Sequence, residues 1–581
     1  MQFREAILQV NGKIYELKPN RANTFEEIYV DFQFEPDVSG LLGRYVIFLH
    51  PKQDVTIEKL ELRFHLPLPA GARFLANGFQ SCSETRQVQV TDAIPGIKNF
   101  ARKRHEWEGD TRISGIPRGK GRLHSWTYTY IKKDTALDHG LFAGSLNEHT
   151  GFTLFLYDQA SGSFTVRKDL DGLALQHSFP ALDVWMADGT EQKVYDDWCK
   201  AAEITATNAP ASLGWTSKNL LPQQVTAAAM QENMEGFAQW RSTAAPQWPA
   251  FFLIEDGWQS NLGDWLTAGS SFPNGMGALA AGAKNKGLSP GLWLAPFLAA
   301  PQAEILRRNP EWVLKDKNGQ AIKAGWNPRW GGWYYALNFY QEGVKEYLSG
   351  VFHRMLDQWG FELLKLDGLY AVSLAPPPGK TRGGVMWEAM MFLRQLVGHK
   401  QMLACGVPLG AALGVADYCR VSSDVSNQWV NPVSGFLQHR ERSGALASLR
   451  SLISRWPMQG RMFQHAPDLF TLSPGGKHLS LTQQQTVLLF HALLGKMLYT
   501  SDVVWQYSEL QQAELDEALW VLGSRVGEVK ELQPEVWRVL FDREGQSWAA
   551  FGNLSLKPVT LGLPGGTVLE LDPGESIVLK W

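Results

Sequence analysis

The chain has 581 residues, of which 44% are hydrophobic and 19% are charged, and its 55 basic and 58 acidic side chains give a formal net charge of −3. This length exceeds what one hydrophobic core can organise, so several domains are expected. The balanced charge, without a basic stripe, argues against nucleic acid or an anionic membrane as a binding partner.

The cysteines and the N-terminus indicate where the protein works. Four cysteines are scattered without a CxxC pair, which predicts reduced thiols and a cytoplasmic location. No signal peptide is visible, and the most apolar window, residues 288–301, is too short to span a bilayer. Histidine pairs with metal-ligand spacing, a P-loop and a dinucleotide-binding glycine motif are all lacking, so we expect neither a metal nor an organic cofactor.

Residues 1–195 alternate apolar and polar side chains over short runs. Examples are residues 45–50, 55–64 and 152–157, with Gly, Asp and Pro between the runs. A period of two is typical of strands with one buried face. This region is therefore predicted to be an antiparallel β-sandwich domain.

From residue 196 to residue 515 the pattern changes to apolar strand, polar loop and amphipathic helix, repeated. Eight strands are predicted, and they begin at Leu213, Ala250, Gly291, Leu363, Met402, Tyr418, Met462 and Lys496. Eight strands alternating with helices predict a (β/α)8 (TIM) barrel. Residues 516–581 return to short β runs with Gly-Pro turns, which predicts a small C-terminal antiparallel β domain.

Two aspartates follow apolar runs of the predicted barrel. Asp367 has Lys365 two residues before it. Asp424 has Arg420 four residues before it. The carboxyl ends of barrel strands meet at one mouth, so these carboxylates can face each other across a bound molecule, and two opposed carboxylates are what cleavage of a glycosidic bond requires. The alternative is that each aspartate pairs with a nearby cation at the surface.

The second and third predicted strands add polar and aromatic side chains to this mouth. Glu255, Asp256 and Trp258 follow the second strand, and Trp293 lies in the third. Indole rings pack well on the C–H faces of sugars, and the chain has 23 tryptophans. A turn role for Asp256 and a core role for Trp293 are the alternatives.

A series of motifs follows one order along the chain. They are Asn77-Gly-Phe-Gln-Ser-Cys-Ser83, Asp256-Gly-Trp258, Gly291-Leu-Trp-Leu-Ala-Pro-Phe297, Lys365-Leu-Asp367, Cys405-Gly-Val-Pro-Leu409, Arg420-x-x-x-Asp424, Ala466-Pro-Asp-Leu469 and Tyr499-Thr-Ser-Asp502. Together these motifs resemble those of clan D glycoside hydrolases, closest to the family 36 α-galactosidases of bacteria and archaea. The resemblance covers almost the whole chain and implies the same three-part architecture.

The resemblance also implies a role for each matching residue. Asp367 would be the nucleophile and Asp424 the general acid/base of a retaining hydrolase. We expect Lys365 to help keep Asp367 ionised and Asp424 to hold its proton near neutral pH. The predicted substrate-binding residues are Glu255, Asp256, Trp258, Trp293, Lys365, Cys405, Arg420, Trp429 and Phe79.

Two positions depart from the family pattern. Glu255 replaces its usual aspartate and Cys82 replaces its usual tryptophan, which leaves the exact sugar or aglycone open. We predict a retaining exo-α-galactosidase that acts on small or oligosaccharide substrates without a cofactor. An α-N-acetylgalactosaminidase, an α-glucosidase or a transgalactosylase remains an alternative, and a sugar-binding protein without catalysis is the alternative from another class.

Overall fold

The computed structural model describes residues 1–38, 40, 42–98, 100, 116–134, 137–170, 172–205, 207–425, 428–438, 444–473 and 479–581. Three parts follow one another along the chain: a pair of antiparallel sheets, a parallel barrel with helices, and antiparallel C-terminal sheets. Within the ranges given, no helix is both long and apolar enough to cross a membrane.

The N-terminal part consists of two antiparallel sheets. Its strands are Gln2–Val10 (β1), Lys13–Leu17 (β2), Arg21–Thr24 (β3), Ile28–Pro36 (β4), Gly43–Pro51 (β5), Val55–His65 (β6), Arg73–Ala76 (β7), Arg86–Gln89 (β8), Arg122–Trp126 (β9), Tyr128–Lys132 (β10), Gly140–Ser145 (β11), Thr153–Asp158 (β12), Ser163–Lys168 (β13), Leu173–Leu175 (β14) and Phe179–Gly189 (β15). One sheet has the order β2-β1-β6-β13-β12-β9, with β14 beside β6. The other has the order β3-β4-β5-β15-β11-β10-β7-β8.

These two sheets pack face to face. Leu8 of β1 and Leu62 of β6 belong to the first sheet, and they share one buried cluster with Val30 of β4 and Ile47 of β5 from the second. All four side chains are fully buried. In β1 every second residue from Ala6 onward is buried, which is the alternation expected of a strand with one face on a core. The predicted antiparallel sandwich is confirmed.

The central part is a nearly closed parallel barrel. The strands of this region are Ser212–Thr216 (β16), Ala250–Ile254 (β17), Ser289–Leu294 (β18), Leu298–Ala299 (β19), Lys323–Asn327 (β20), Gly332–Ala336 (β21), Leu363–Leu366 (β22), Gln401–Ala404 (β23), Tyr418–Arg420 (β24), Gln464–Ala466 (β25) and Met497–Thr500 (β26). The barrel has the strand order β25-β24-β23-β22-β18-β17-β16-β26, while β19-β21-β20 form a small separate sheet. The amide of Lys496 donates to the His465 carbonyl at 2.9 Å where β26 approaches β25. The predicted barrel is confirmed, and each of the eight predicted strands is present.

Helices alternate with the barrel strands. They are Glu191–Ala201 (α1), Ala227–Ala244 (α2), Gly275–Asn285 (α3), Glu304–Arg308 (α4), Glu342–His353 (α5), Arg382–Val397 (α6), Pro432–Leu437 (α7), Ala445–Arg455 (α8), Leu481–Leu494 (α9) and Glu509–Val521 (α10). Helix α1 packs on the sandwich, since the Trp198 indole donates to the Ser145 carbonyl at 2.9 Å. The predicted domain boundaries after residues 195 and 515 fall inside α1 and α10 and stay predictions.

The C-terminal part is again antiparallel. Its strands are Arg525–Gln533 (β27), Val536–Arg543 (β28), Gln546–Asn553 (β29), Val559–Gly562 (β30), Val568–Leu571 (β31) and Ser576–Lys580 (β32). They form the sheet β27-β28-β29-β32 and the pair β30-β31. Phe541 and Ala550 of the larger sheet join the barrel's apolar core, so this small domain covers the helical side of the barrel.

Candidate active site

Inward-facing side chains of the barrel change from apolar to polar toward the carboxyl ends of the strands. Phe251 and Leu253 of β17 share a buried cluster inside the barrel with Leu363 of β22. Every second residue of a strand faces the same side, so the next inward positions are Glu255 and Lys365. Both are buried, at 5% and 3% exposure. The mouth of the barrel therefore begins with a layer of buried polar side chains.

Asp367 follows β22 and is oriented by two hydrogen bonds. The indole Nε1 of Trp293 donates to its Oδ2 at 3.1 Å, and the Gly368 amide donates to its Oδ1 at 2.8 Å. The Asp367 amide donates to the Leu294 carbonyl at 2.9 Å, which continues the pairing of β22 with β18. The carboxylate is therefore held in one direction at the end of the strand, which suits a group that must attack from a fixed position.

Asp424 lies on the loop after β24 and contacts two cations. Lys218 Nζ donates to its Oδ1 at 2.8 Å, and Arg420 Nη2 donates to the same oxygen at 3.1 Å. The Asp424 side chain is 72% exposed, whereas that of Arg420 is 1% exposed. A ligand entering the mouth can therefore reach this carboxylate while its cationic partner stays below the surface.

Asp468, after β25, joins the same cluster of charges. Its Oδ1 accepts from Lys218 Nζ at 2.6 Å and lies 3.0 Å from Arg420 Nη1. Its Oδ2 accepts from the Val425 amide at 2.7 Å. Burial raises the pKa of Asp468, but Arg420 and Lys218 lower it by more. Two carboxylates and two cations thus form one network across the ends of β16, β24 and β25.

The charges of this network favour the ionised form of Asp424. Lys218 is the main cause that lowers the pKa of Asp424 well below its usual range; partial desolvation within the mouth opposes this effect and Arg420 adds to it. For the ligand-free protein this direction is opposite to the expectation that Asp424 holds its proton near neutral pH. Sequence reasoning did not identify Lys218, although its place directly after the first barrel strand indicates that it lies at the mouth.

Lys365 pairs with Glu255 rather than with Asp367. Its Nζ donates to Glu255 Oε1 at 2.6 Å, and the Thr216 hydroxyl donates to the same oxygen at 3.3 Å. Burial lowers the pKa of Lys365, but Glu255, together with Cys405, Tyr499 and Asp367, raises it by more. The expectation that Lys365 helps keep Asp367 ionised stays a prediction, because the ammonium group also interacts electrostatically with Asp367 while its hydrogen-bonded carboxylate partner is Glu255. Glu255, the departure from the family pattern, is that partner.

Asp256 is held by two donors from loops of the barrel. Gln259 Nε2 donates to its Oδ1 at 2.6 Å, and the Trp330 indole donates to its Oδ2 at 2.7 Å. The Trp330 ring lies 6.1 Å from the Trp293 ring, centroid to centroid. Since Trp293 also bonds Asp367, these side chains link Asp256 to the proposed nucleophile through two indoles.

Trp258 does not line the mouth. Its side chain is fully buried, its indole donates to the Trp293 carbonyl at 2.8 Å, and its ring contacts those of Trp265 and Trp359. The chain turns at Gly257, whose φ of 117° only glycine adopts readily, and this turn directs the indole into the packing around β18. The prediction that Trp258 forms a pocket wall is wrong, whereas Trp293 reaches Asp367 from the third strand.

A segment of the N-terminal sandwich is fastened to the barrel mouth by Arg455. Its guanidinium group is fully buried at the end of α8. It donates to Asn77 Oδ1 at 3.1 and 3.2 Å, to the Gln80 carbonyl at 3.1 Å and to the Ser81 carbonyl. It also donates to the Val421 carbonyl, just after β24, at 2.9 Å. One side chain thus binds both the sandwich and the strand that precedes Asp424.

The same segment brings Cys82 beside Cys405. Their sulfur atoms lie 3.7 Å apart, and both thiols are free. An added Cβ at Gly406 would lie 3.4 Å from both Asp367 Oδ1 and Gln80 Oε1, which shows how closely the sandwich approaches the carboxylate. The N-terminal part therefore completes the mouth of the barrel.

Substrate contacts of Phe79 and Trp429, like those of the other predicted binding residues, stay predictions. Phe79 packs edge-to-face on Trp126 and Phe152, with ring centroids 5.0 and 5.2 Å away, and its carbonyl accepts from the Leu409 amide at 3.4 Å. This places Phe79 beside the barrel mouth but shows no contact with the acid pair. Trp429 is 6% exposed and lies just before α7, and its carbonyl accepts from the amide of residue 446 at 3.0 Å.

Thiol chemistry should single out Cys82. The hydrogen bond with Cys405 is the main cause that lowers the pKa of Cys82, and the side chain is partly exposed. Burial raises the pKa of Cys199 to about 11 and also raises that of Cys419, so both serve as internal controls. With limiting methyl methanethiosulfonate, peptide mass mapping should find Cys82 labelled first. Earlier labelling of Cys199 or Cys419 would contradict the arrangement.

Comparison with known proteins relates this site to a family. Residues 225–382 match the family model described as Melibiase, a stretch that contains Asp256, Trp293 and Asp367. An α-galactosidase of Escherichia coli is 26% identical over 165 residues, which are 26% of this chain and 22% of that protein. The aligned segment thus spans well under two thirds of the relative's length.

Solved structures extend the likeness to the whole fold. TtGalA, an α-galactosidase from Thermus thermophilus in complex with p-nitrophenyl α-D-galactopyranoside, is 23% identical with a TM-score of 0.69, covering 94% of this chain and 98% of that one. The GH36 α-galactosidase AgaA from Geobacillus stearothermophilus is 14% identical with a TM-score of 0.62, covering 99% and 88%. This chain therefore has the fold of these two α-galactosidases and contains a segment that matches the Melibiase family.

Proposed function

We propose that this chain is a retaining exo-α-galactosidase of glycoside hydrolase family 36. The observation that carries the proposal is Asp367, held by Trp293 and Gly368 at the end of the fourth barrel strand, with Asp424 exposed at the end of the sixth. Two carboxylates at strand ends of one barrel mouth suit double displacement at a sugar. The matched Melibiase segment and the similar α-galactosidases support the substrate class.

The reaction would proceed in two inversions. Asp367 attacks the anomeric carbon while Asp424 gives a proton to the departing glycosidic oxygen. Asp424, now a carboxylate, then takes a proton from water, which attacks the same carbon and releases Asp367. The configuration at the anomeric carbon is retained because it is inverted twice.

The buried polar layer would bind the hydroxyl groups of the sugar. Asp256, the Glu255–Lys365 pair, Cys405 and Arg420 present acceptors and donors that would hydrogen-bond them. A site built to bind a hydroxyl rejects an analogue without it, because its buried polar groups are left unpaired. We propose that the axial O4 of galactose is recognised here, and that the longer Glu255 contributes by fixing Lys365.

A panel of nitrophenyl glycosides tests the function. The purified full chain should cleave the α-galactoside much faster than the α-glucoside, the α-N-acetylgalactosaminide or any β-glycoside, with no added metal. NMR of the first product formed should show α-galactose, as retention requires. A preference for the α-N-acetylgalactosaminide or the α-glucoside would contradict the sugar assignment, β-galactose as first product would contradict the mechanism, and sugar binding without turnover would contradict catalysis.

A further inference from the structure

The proposed reaction asks opposite things of Asp424 in its two steps. It must carry a proton to assist the leaving group and must be ionised to activate water. The structure surrounds this carboxylate with charges from several elements: Lys218 after β16, Lys365 on β22, Arg420 on β24, Asp468 after β25 and Cys82 of the sandwich. Which of these groups contacts Asp424 decides which step is favoured.

Lys218 is the cation placed to act on Asp424 most directly. Its Nζ lies 2.8 Å from Asp424 Oδ1 and 2.6 Å from Asp468 Oδ1, so the ammonium group bridges the two carboxylates. The Lys218 side chain is only 20% exposed whereas that of Asp424 is 72% exposed, so solvent screens the contact from the side of the carboxylate only. Arg420 contacts the same two oxygens, with Nη2 3.1 Å from Asp424 Oδ1 and Nη1 3.0 Å from Asp468 Oδ1.

We propose, on the basis of the proposed function, that Lys218 is a positioning residue that holds Asp424 in the ionised, proton-accepting state and so sets the upper pH limit of activity. Asp468 fixes the ammonium group from below, and Arg420 fixes Asp468. In the second step, Asp424 is already ionised and can take a proton from water. In the first step on a sugar leaving group, only a small fraction of Asp424 is protonated, so cleavage of α-galactosyl oligosaccharides is favoured at acidic pH.

The sign of the effect of Lys218 follows from its charge. A neighbouring cation favours the ionised form of a carboxyl group, so removing Lys218 raises the pKa of Asp424. Protonated Asp424 then persists to higher pH, and the high-pH limb of kcat/KM on a sugar leaving group moves upward. A cation within ion-pair distance lowers a carboxyl pKa by ~1–3 units, so the limb should move by about one unit or more.

The test measures kcat/KM against pH for melibiose with the wild type, Lys218→Met and Lys218→Arg. For each protein, kcat/KM at pH 7 is divided by the highest kcat/KM of its own pH profile. This quotient should be about tenfold larger for Lys218→Met than for the wild type, whether or not the highest value itself falls. Lys218→Arg keeps the charge and should keep the wild-type limb. Because nitrophenolate leaves without proton assistance, the pH profile on nitrophenyl galactoside should change little. Lys218→Gln gives the same comparison where methionine lowers stability.

Lys400 provides the matched control. Its Nζ pairs with Glu362 Oε1 at 3.1 Å at the opposite end of the barrel, and its side chain is 13% exposed. Lys400→Met should leave the pH limb in place. The inference is overturned if Lys218→Met keeps the wild-type limb, or if Lys218→Arg shifts it as much as Lys218→Met. Failure of the proposed function would be distinct, since the wild type itself would then cleave no α-galactoside.

Discussion

Asp367→Ala is expected to abolish turnover of every α-galactoside. Without the carboxylate no covalent glycosyl-enzyme forms, and loss of a nucleophile costs on the order of 10⁴-fold or more in kcat. Azide can enter the vacated space, and activity on nitrophenyl α-galactoside should partly return. A single displacement inverts the anomeric carbon, so the product should be the β-galactosyl azide, identified by NMR.

Trp293→Phe is the matched comparison for this variant. It removes the indole donor to Asp367 Oδ2 but keeps the carboxylate and an aromatic ring. Loss of one hydrogen bond to a charged group should cost about 10- to 100-fold, far less than loss of the nucleophile. Recovery of the α-azide from Asp367→Ala, or near-normal activity without azide, would show that another group attacks the sugar.

Asp424→Ala is expected to separate substrates by their leaving groups. On melibiose the loss in kcat/KM should be ~10²–10⁴-fold, because the departing oxygen no longer receives a proton. On nitrophenyl α-galactoside the first step should be nearly unchanged, while the second step, without its base, should slow. The glycosyl-enzyme should then accumulate, so kcat and KM should fall together.

Azide gives this second variant a different product from the first. It attacks the accumulated glycosyl-enzyme without needing a base, so the α-galactosyl azide should form by double inversion. Asp424→Asn keeps the size of the side chain but cannot transfer the proton, and it should behave like the alanine variant. An equal loss in kcat/KM on both substrates would mean that Asp424 binds the sugar or supports the fold instead.

The fold could be predicted because its signals are local and repeated. A period of two along β1 and eight apolar runs separated by helices each report on neighbouring residues only. The candidate acid pair could be proposed for the same reason, since Asp367 follows β22 directly and Asp424 lies on the loop after β24. Strand ends in a parallel barrel meet at one mouth whatever the loops do.

The electrostatic pairs at the mouth that join distant parts of the chain could not be predicted. Lys218 meets Asp468 across 250 positions, and Lys365 meets Glu255 across 110. The spacing along the chain predicted that Lys365 acts on Asp367. Its ammonium group instead reaches across the barrel mouth and donates to Glu255, which follows β17. Trp258 was misassigned for a similar reason, since one glycine turn decides which way its indole points.

Arg455 couples the sandwich to the barrel, so that the two domains have to be exchanged together in protein engineering. Its guanidinium group donates to residues 77, 80 and 81 on one side and to Val421 on the other. A chimera that takes its sandwich from one relative and its barrel from another must match this contact, or it leaves a buried charge short of acceptors at a cost of several kcal/mol. A compatible exchange point therefore keeps Arg455, residues 77–81 and Val421 from the same parent, which an exchange at the boundary between the sandwich and the barrel does not.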